Sequence, residues 1–423
     1  MEKTKKKILI YAHYYYPDVA STGQILQELA EGLASRLDVT VICAIPSYTG
    51  KIEDKYKKKK FFFEELNGVR IVRVRVPEFT KGQILSRVKN ILTYFFNARK
   101  ATKKLGCFDY IFTISQPPIL GGMLGVYGKK KKHAKLIYNI QDFNPEQIMA
   151  VGYSNNRLLL NILMYLDKRT CKKSDLIVTV GRDLVATINK RFEGHTVPKT
   201  IMITNWMNDK QVYPLPDNNS GVLEFKKKYG LSNKFVIMYS GNIGLYYDLD
   251  NLLKVMAGIK SGTCAADGRE VVFVFVGAGS VLNELKSYVS NNNLGNVIFV
   301  PYQDKEKIIY SLNAADVHLC VNAKGIKGVS CPSKFYGIVA VAKPVLAVLE
   351  AGTEIRYIIE ESKCGLVSDP GDYSAFSRNV TTFISNLADA NYKMGIAGYY
   401  YFKNKLKMDL AVENYFNAIE NIK

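Results

Sequence analysis

Short apolar runs rich in β-branched residues alternate with helical patterns along nearly all of this chain of 423 residues. Continuous apolar strands separated by helices are typical of parallel sheets covered on both faces. Strands are expected at 7–12, 39–44, 69–76, 110–115, 135–140, 176–180, 201–205, 235–241, 271–277, 297–302, 317–322, 344–349 and 364–368. Helical patterns fill the gaps, as at 22–36, 249–258, 281–290 and 304–313. The alternation predicts an α/β protein.

The segment QVYPLPDNNSG at 211–221 separates two such series, and its prolines, asparagines and glycine favour a linker. We therefore expect two Rossmann-like domains, at 1–212 and 213–402, with a C-terminal helix at about 403–423 that packs back on the first. Ligands of such sheets bind beyond the carboxyl ends of the strands, so the site is expected in a cleft where the two domains face each other.

Cysteine usage and hydropathy indicate a cytoplasmic chain. The seven cysteines include no C-x-x-C pair, which favours reduced thiols over a disulfide framework or a zinc site. The start, MEKTKKKILIYAHYYYPD, reads as a strand rather than a secretion signal. The longest weakly polar run, PPILGGMLGVYG, has 12 residues, whereas a membrane-spanning helix needs about 20.

The net charge of +20 is concentrated in the first half of the chain. Residues 1–210 contain 36 Lys and Arg against 18 Asp and Glu, whereas residues 211–423 contain 22 against 20. This asymmetry suggests that the first half faces an anionic partner, which could be nucleic acid, a membrane surface or a phosphorylated lipid. The alternative is that lysine runs such as KYKKKK at 55–60 are simply solvated loops.

A basic amphipathic segment at 81–104 favours the membrane among these partners. One helical face would carry Ile84, Leu85, Val88, Ile91, Leu92 and Phe95, and the flanks would carry Arg87, Lys89, Arg99, Lys100, Lys103 and Lys104. We expect peripheral association with an anionic membrane. The competing interpretation is that this apolar face packs on the first sheet.

Glycine-containing loops follow several strands and suggest a diphosphate site. YSGNIG at 239–244 provides Gly241, Asn242 and Gly244, FVGAGS at 275–280 provides Gly277, and an earlier loop with Gly23 leads into a helix. Backbone N–H groups at such loops and helix starts bind phosphate well. Each loop alone could equally be an ordinary connection between a strand and a helix, and Ser21 or Thr22 could be an ordinary N-cap.

The segment CPSKFYG at 331–337 adds a cation to this set. Ser333 suits an N-cap, and Lys334 would lie at a helix start, where a positive charge is unfavourable unless an anion binds there. The alternative is a lysine that points to solvent.

The first half contributes a carboxylate at the end of a strand. In NIQDFNPEQI at 139–148, Asp142 follows an apolar strand, while Glu146 follows a proline and suits the first turn of a helix. His13 is the one histidine at a strand end, and the four histidines show no metal-ligand spacing. Asp142 is therefore the preferred functional carboxylate.

These motifs together resemble glycosyltransferase family 4, retaining enzymes of the GT-B fold that use nucleotide sugars. YYYPDVASTGQILQELAEGL, YNIQDFNPEQIMAVGY, ITNWMNDKQVYPLP, MYSGNIGLYYDLDNLL, FVGAGSVLNELK and VAKPVLAV carry the resemblance across nearly the whole chain. QDFNPE and PSK are most similar to the bacterial branch that builds capsule, O-antigen and exopolysaccharide units.

The chain departs from the family in its acids. Many members carry E-x7-E before an A-x-G-x-P-V-like segment, and those two positions are Val329 and Gly337 here. In the family the second acid holds the donor ribose. A basic residue common after G-N-I-G is replaced by Leu245. The resemblance implies that Ser333, Lys334 and backbone groups bind the diphosphate instead.

The resemblance also implies roles for the remaining candidates. The donor would be a nucleotide sugar, most simply a UDP-sugar, bound by Gly23, Gly241, Asn242, Gly244, Gly277, Tyr302, Ser333 and Lys334. Asp142 would be the catalytic carboxylate, and His13, Tyr16 and Glu146 would contact the acceptor. The acceptor would be lipid-linked or an oligosaccharide, and neither a cofactor nor a metal is expected.

Three other functions remain open from the sequence. The GT-B architecture also serves sugar-nucleotide epimerases, and loss of the acids could leave a catalytically inactive partner of another transferase. The net charge raises nucleic-acid binding, but no recognised motif occurs and the aromatic residues are not interleaved with the lysine runs.

Overall fold

The computed structural model describes residues 5–18, 20–80, 82–150, 152 and 154–422, without the side chain of Ser21. Its contacts divide the chain into two compact units. Unit 1 contains residues 1–204 and 409–423, and unit 2 contains residues 205–408.

Unit 1 is built on an eight-stranded sheet in the order β3-β4-β2-β1-β5-β6-β7-β8. The strands are β1 (Lys7–Ala12), β2 (Asp38–Ala44), β3 (Phe61–Leu66), β4 (Val69–Val74), β5 (Tyr110–Ile114), β6 (Lys135–Ile140), β7 (Leu176–Thr179) and β8 (Thr200–Met202). All neighbours are parallel except β3 and β4. The helices are α1 (Ser21–Ala34), α2 (Ile84–Lys104), α3 (Leu120–Lys132), α4 (Glu146–Ala150), α5 (Arg157–Lys173) and α6 (Arg182–Arg191), with a 3-10 turn at Asp54–Tyr56.

Unit 2 is built on a six-stranded parallel sheet in the order β11-β10-β9-β12-β13-β14. Its strands are β9 (Lys234–Ser240), β10 (Glu270–Val276), β11 (Val297–Val300), β12 (Val317–Val321), β13 (Val345–Val348) and β14 (Gly365–Ser368). Its helices are α7 (Ser220–Lys228), α8 (Leu249–Met256), α9 (Leu282–Asn291), α10 (Ile308–Asn313), α11 (Lys334–Ala340), α12 (Glu354–Ser362), α13 (Tyr373–Ser385) and α14 (Ala388–Lys405). A 3-10 turn covers Leu245–Tyr247. Helix α15 (Met408–Glu420) follows α14, and all of it except Met408 belongs to unit 1.

The α/β prediction is confirmed, since every expected strand is present within one to three residues at its ends. The alternation of buried apolar strands with helices is what fixes this architecture. Strand β3 was not predicted. It is a half-exposed edge strand without a clear alternation, joined to β4 by Asn67 and Gly68, both at positive φ. Such an Asn-Gly turn is a strong hairpin signal.

The segment 211–221, expected to be a linker, lies inside unit 2, and the division falls after Thr204 rather than at 212. The reason is that this segment is anchored. Val212 is buried in the core, the Leu215 N–H donates to Asn313 Oδ1 at 2.8 Å, and Asn313 donates to the Tyr213 carbonyl at 3.1 Å.

Residues 409–423, most of the expected C-terminal helix, belong to unit 1. Asn139 donates to the buried Tyr415 hydroxyl at 2.8 Å, and Arg36 pairs with Glu413. Residues 403–408, also expected there, remain with unit 2.

Candidate functional site

The sheet order of unit 2 brings the predicted donor loops to one edge. Strands β11, β10, β9 and β12 are neighbours, so the residues that follow them lie beside one another at their carboxyl ends. Those residues are Tyr302 after β11, Gly277 after β10, Gly241–Gly244 after β9, and Ser333 and Lys334 after β12.

The loops after β9 and β10 are in direct backbone contact. Gly241 N–H donates to the Val276 carbonyl at 2.9 Å, and Ile243 N–H donates to the Ala278 carbonyl at 2.9 Å. A Cβ added to Gly277, whose φ is +140°, would be only 2.0 Å from the Gly241 carbonyl oxygen. Glycine is therefore required at position 277 for the two loops to meet.

Lys334 lies over this pair of loops. A Cβ on Gly241 (φ +145°) would be 2.5 Å from Lys334 Cε, so the lysine stem crosses the bare glycine backbone. The ammonium lies 3.6 Å from the centre of the Tyr247 ring and 5.1 Å from that of Tyr239. Among the described residues, no carboxylate forms an ion pair with Lys334. The cation rests on aromatic faces.

Other predicted donor residues lie in the loops that follow β9 and β11. Asn242 is exposed, and its carbonyl accepts a hydrogen bond from the buried Tyr239 hydroxyl. A Cβ on Gly244 would be 2.9 Å from Asn242 Nδ2, so the two residues are in close contact. Tyr302 is 53% exposed. The tyrosine ring, the loop backbone and the ammonium are thus presented at the same edge.

Ser333 is at the N-cap position of α11, but its side chain makes no capping bond. Its backbone is helical (φ −64°, ψ −17°) rather than extended, which is not the usual geometry of a capping residue. The hydroxyl is exposed. Helix α11 spans only Lys334–Ala340, and a helix this short makes a weak anion site at its N-terminus. The charge of Lys334 is therefore a stronger indication of phosphate binding than the helix start at Ser333.

The two positions that correspond to the family acids lie in apolar surroundings. Val329 is buried, and a Cβ on Gly337 would be 3.2 Å from Met207 Cε and 3.3 Å from Leu312 Cδ1. A carboxylate at 337 would have to displace those side chains. The packing around these two positions therefore matches the absence of both family acids.

In unit 1, His13 follows β1 and is only 5% exposed. The Asn90 amide donates to the Pro77 carbonyl at 2.7 Å, so its Oδ1 accepts from His13 Nε2–H at 3.1 Å. The other ring nitrogen, Nδ1, then carries the lone pair. Burial lowers the pKa of His13 to about 4, against the effect of the Asn90 hydrogen bond. His13 is thus a neutral imidazole at neutral pH.

A buried arginine, Arg73, contacts the backbone of Tyr16, whose side chain is exposed. Its side chain is 48% exposed, and its carbonyl accepts from Arg73 Nη2 at 2.7 Å. Arg73 is itself buried and donates to Glu64 at 2.7 Å. Arg73 lies 57 residues from Tyr16 in the sequence, and no local pattern indicated this contact.

Gly23 lies in the first turn of α1, close to the same loop. A Cβ there would be 3.0 Å from the Tyr14 carbonyl oxygen, so glycine allows the helix start to approach the strand end. The N-cap is Ala20, which means that neither Ser21 nor Thr22 has the capping position that the sequence suggested. The first turn of α1 contains no acid.

Asp142 follows β6 as predicted and is half-buried. The Ser115 hydroxyl, which follows the neighbouring strand β5, accepts from the N–H groups of Gln141 at 3.2 Å and Asp142 at 3.3 Å. Because β1, β5 and β6 are neighbours in the sheet, His13, Ser115 and Asp142 lie along one edge.

Glu146 begins α4 and is engaged by Arg191. Its Oε1 accepts from Arg191 Nε at 2.7 Å, and its Oε2 accepts from Nη2. The predicted contact of Glu146 with an acceptor would therefore compete with a bidentate ion pair. Arg191 is 45 residues away, and no local sequence pattern marks it.

Two further findings concern ions and membranes. Within the described ranges, no three His, Cys, Asp or Glu side chains converge as a metal site would require. None of the helices built from those residues combines the length and the apolar character that crossing a bilayer demands.

Comparisons with known proteins identify the fold and the family that the chain resembles. Solved structures of the GT-B class superpose on almost the whole chain at low sequence identity. A sucrose-phosphate synthase from Thermosynechococcus elongatus gives a TM-score of 0.77 at 14% identity, covering 98% of both chains. Anabaena HepE in complex with UDP and glucose gives 0.71 at 13% identity, covering 98% of this chain and 100% of that one. The fold is therefore GT-B.

The family follows from the sequence comparisons. Residues 222–399 match the family described as glycosyl transferases group 1. The probable glycosyltransferase WbjE of Pseudomonas aeruginosa is 26% identical over 72% of this chain and 73% of its own length. WcaI of Escherichia coli K12, whose description reads "Putative colanic acid biosynthesis glycosyl transferase", is 24% identical over 84% of this chain and 86% of its own length. Residues 222–399 therefore match the group 1 glycosyltransferases, also called family 4, and the two relatives extend the similarity over most of the chain.

Proposed function

We propose that this enzyme transfers a sugar from a UDP-sugar to a lipid-linked or saccharide acceptor during cell-surface polysaccharide synthesis, with retention at the anomeric carbon. The observation that carries the proposal is Lys334, a cation without a carboxylate partner among the described residues, over the bare backbone of Gly241. A diphosphate is the ligand whose charge and size suit that arrangement.

The donor diphosphate would be bound by unit 2. Lys334 would leave the Tyr247 ring and bind phosphate oxygens, while Gly241, Gly244 and Gly277 allow the backbone to approach closely. These groups stabilise the negative charge that develops on the leaving diphosphate, and this is the main contribution that a retaining transfer needs from the protein. Tyr302 would contact the nucleoside and Asn242 the phosphates or sugar.

The acceptor would be bound by unit 1. The bond between the anomeric carbon and the diphosphate oxygen breaks, and the acceptor oxygen forms its bond on the same face. The acceptor proton passes to an oxygen of the departing diphosphate. Asp142 would orient the acceptor or the donor sugar, and the neutral His13, with its Nδ1 lone pair, would accept a hydroxyl hydrogen bond.

The known proteins support the choice of donor and pathway. HepE is solved with UDP and glucose, and the description of WcaI assigns it, as "putative", to colanic acid biosynthesis. Without acids at Val329 and Gly337, donor affinity would depend more on the diphosphate contacts than on the ribose.

Thermal unfolding with a panel of nucleotides tests the donor. UDP and at least one UDP-sugar are expected to raise the melting temperature, and GDP and CMP are expected to raise it less. A panel in which UDP has no effect at millimolar concentration would contradict a UDP site.

We also propose that unit 1 docks on an anionic membrane, which would place the protein on the cytoplasmic face. In α2, Phe95 packs in the core, which corrects part of the predicted apolar face. Leu85 is nevertheless 85% exposed, and Phe96 is 53% exposed. On the last turns of the same helix, the charge of Lys100 lowers the pKa of Lys60, with burial and the charges of Arg75 and Lys104 adding to the effect. Apolar side chains beside clustered cations suit a headgroup layer.

Helix α5 carries a similar face. Leu158 is 72% exposed, Ile162 48% and Tyr165 65%, and Arg169 continues the same helical stripe. The solvent side of a surface helix is normally polar. Both faces belong to helices that begin near the carboxyl edge of the sheet, where Asp142 lies.

Vesicle co-sedimentation tests this surface. Binding to phosphatidylglycerol vesicles at low salt, loss of binding at high salt and no binding to phosphatidylcholine are expected, because each surface cation contributes about 1 kcal/mol. Leu85→Gln and Leu158→Gln should weaken binding, whereas Leu387→Gln, a 74% exposed leucine of unit 2, should not. Absence of binding to anionic vesicles at low salt would contradict docking and favour a water-soluble acceptor.

A further inference from the structure

Arg191 holds the segment that follows Asp142 by three separate contacts. Its guanidinium carbon lies 4.4 Å from the centre of the Phe143 ring. Its Nη2 donates to the Asn144 carbonyl at 3.0 Å, and its Nε donates to Glu146 Oε1 at 2.7 Å. The arginine side chain is only 4% exposed, so these contacts are largely removed from water.

The same guanidinium is fixed from the opposite side. Arg191 Nη1 donates to Asp167 of α5 at 2.5 Å, and Asp167 accepts from the Tyr138 hydroxyl of β6 at 2.7 Å. Burial alone would lower the pKa of Arg191, but Glu146 and Asp167 outweigh it and keep the guanidinium charged. The planar fork thus joins two helices, a strand and the loop through one residue.

The loop is then fastened at both ends. At its start, the Ser115 hydroxyl accepts from the N–H groups of Gln141 and Asp142. At its end, Arg191 fixes Asn144 and Glu146. Asp142 lies at the first attachment and two residues before Asn144, the start of the second, so the direction of its side chain at the sheet edge depends on both.

We infer that Arg191 is a positioning residue for Asp142, and that Glu146 acts through Arg191 rather than on the acceptor. This inference rests on the proposed function, because it takes Asp142 as the carboxylate that orients a substrate. Lysine at 191 would keep the charge but could not bond Glu146, Asp167 and the Asn144 carbonyl in one plane.

A double-mutant cycle tests the inference in the full-length protein. Arg191→Lys alone should lower kcat for transfer from a radiolabelled UDP-sugar to a membrane extract by about tenfold or more. In the Asp142→Asn background it should lower kcat by less than about threefold, because the carboxylate it positions is gone. Equal factors in the two backgrounds would overturn the inference and leave Arg191 a purely structural residue.

Two variants separate positioning from loss of folding. Ile188→Val, in the buried side of the same helix α6, should weaken packing without touching the loop, so it should leave kcat within about twofold. Glu146→Gln removes one charge of the ion pair while keeping its shape, and it should show the same dependence on Asp142 as Arg191→Lys. It serves as the cycle partner if Arg191→Lys unfolds.

Hydrogen–deuterium exchange provides a readout that needs no transfer activity. Arg191→Lys should accelerate exchange at amides 142–149 selectively, and Ile188→Val should not. Unchanged exchange there would overturn the inference even if the enzyme is active. Accelerated exchange in Arg191→Lys, together with no transfer by the wild type from any UDP-sugar, would support the role of Arg191 in holding the loop. That combination would refute the proposed function instead.

Discussion

Replacing Lys334 with alanine should remove most of the response of unit 2 to UDP. The Lys334 stem crosses the bare Gly241 backbone, and in the free protein its ammonium contacts the rings of Tyr247 and Tyr239. Moving from a ring to a phosphate exchanges a contact worth about 0.5–1 kcal/mol for a charge-assisted hydrogen bond worth about 1.5–3 kcal/mol. The alanine variant loses the phosphate contact and also the ring contact that competes with it.

The expected loss of UDP affinity follows from the energies of the phosphate contact and of the ring contact. A net loss of about 2 kcal/mol weakens UDP binding about 30-fold. At a UDP concentration 100 times the wild-type Kd, binding adds about 2.7 kcal/mol to the wild type and about 0.9 kcal/mol to the variant. For a unit of this size, 1 kcal/mol corresponds to about 2–4 °C, so the expected shifts are about 5–10 °C and about 2–4 °C.

Thermal unfolding with and without UDP measures both values. Lys286→Ala is the matched control, because Lys286 also lies over an aromatic ring, that of Phe299, at 5.9 Å, but on helix α9. The control should respond to UDP like the wild type. An alanine variant at 334 with a full wild-type shift would refute the assignment and leave Lys334 a surface lysine.

Three further predictions concern the acceptor loop, pH and the glycine contact. Asp142→Asn should lower transfer at least about tenfold and leave the UDP thermal shift unchanged; an equal loss of UDP binding would place Asp142 at the nucleotide. Burial lowers the pKa of His13 and His318 to about 4 from 6.5, so the unfolded chain takes up protons first as pH falls. The free energy of unfolding in urea should therefore drop between pH 7 and pH 5 by about 2 kcal/mol per histidine, and equal values at the two pH values would contradict this. Gly277→Ala, which would put a Cβ 2.0 Å from a carbonyl oxygen, should destabilise unit 2 by several kcal/mol, whereas Gly268→Ala, with open space around it, should cost about 1 kcal/mol; similar costs would refute the close contact.

The fold was predictable because parallel sheets leave a strong local pattern. Both faces of each strand are covered, so β1, β9 and β10 read as unbroken apolar runs. Edge strand β3 lacked that pattern, since half of it is exposed. The segment 211–221 looked like a linker from its prolines and asparagines, but a distant residue, Asn313, anchors it. Composition could not reveal that contact.

The candidate site was predictable where a residue follows a strand directly. Asp142, Gly241 and Gly277 all follow strands, and the sheet order then places neighbouring loops together. Contacts between residues that are far apart in the sequence could not be predicted. Arg191 reaches Glu146 across 45 residues, and nothing in the local pattern marks it. The resting contact of Lys334 with Tyr247 is of the same kind.

The central claim is that this chain moves a sugar from a UDP donor to another molecule with retention. Radiolabelled UDP-glucose, UDP-galactose and UDP-N-acetylglucosamine should each be incubated with the protein and a membrane extract, followed by analysis of the product and of its anomeric linkage. The account predicts labelled glycoside from at least one donor, in the α configuration of that donor, and loss of this product in Lys334→Ala. A β-linked product, label recovered only as an epimerised nucleotide sugar, or no labelled product from any donor would contradict it.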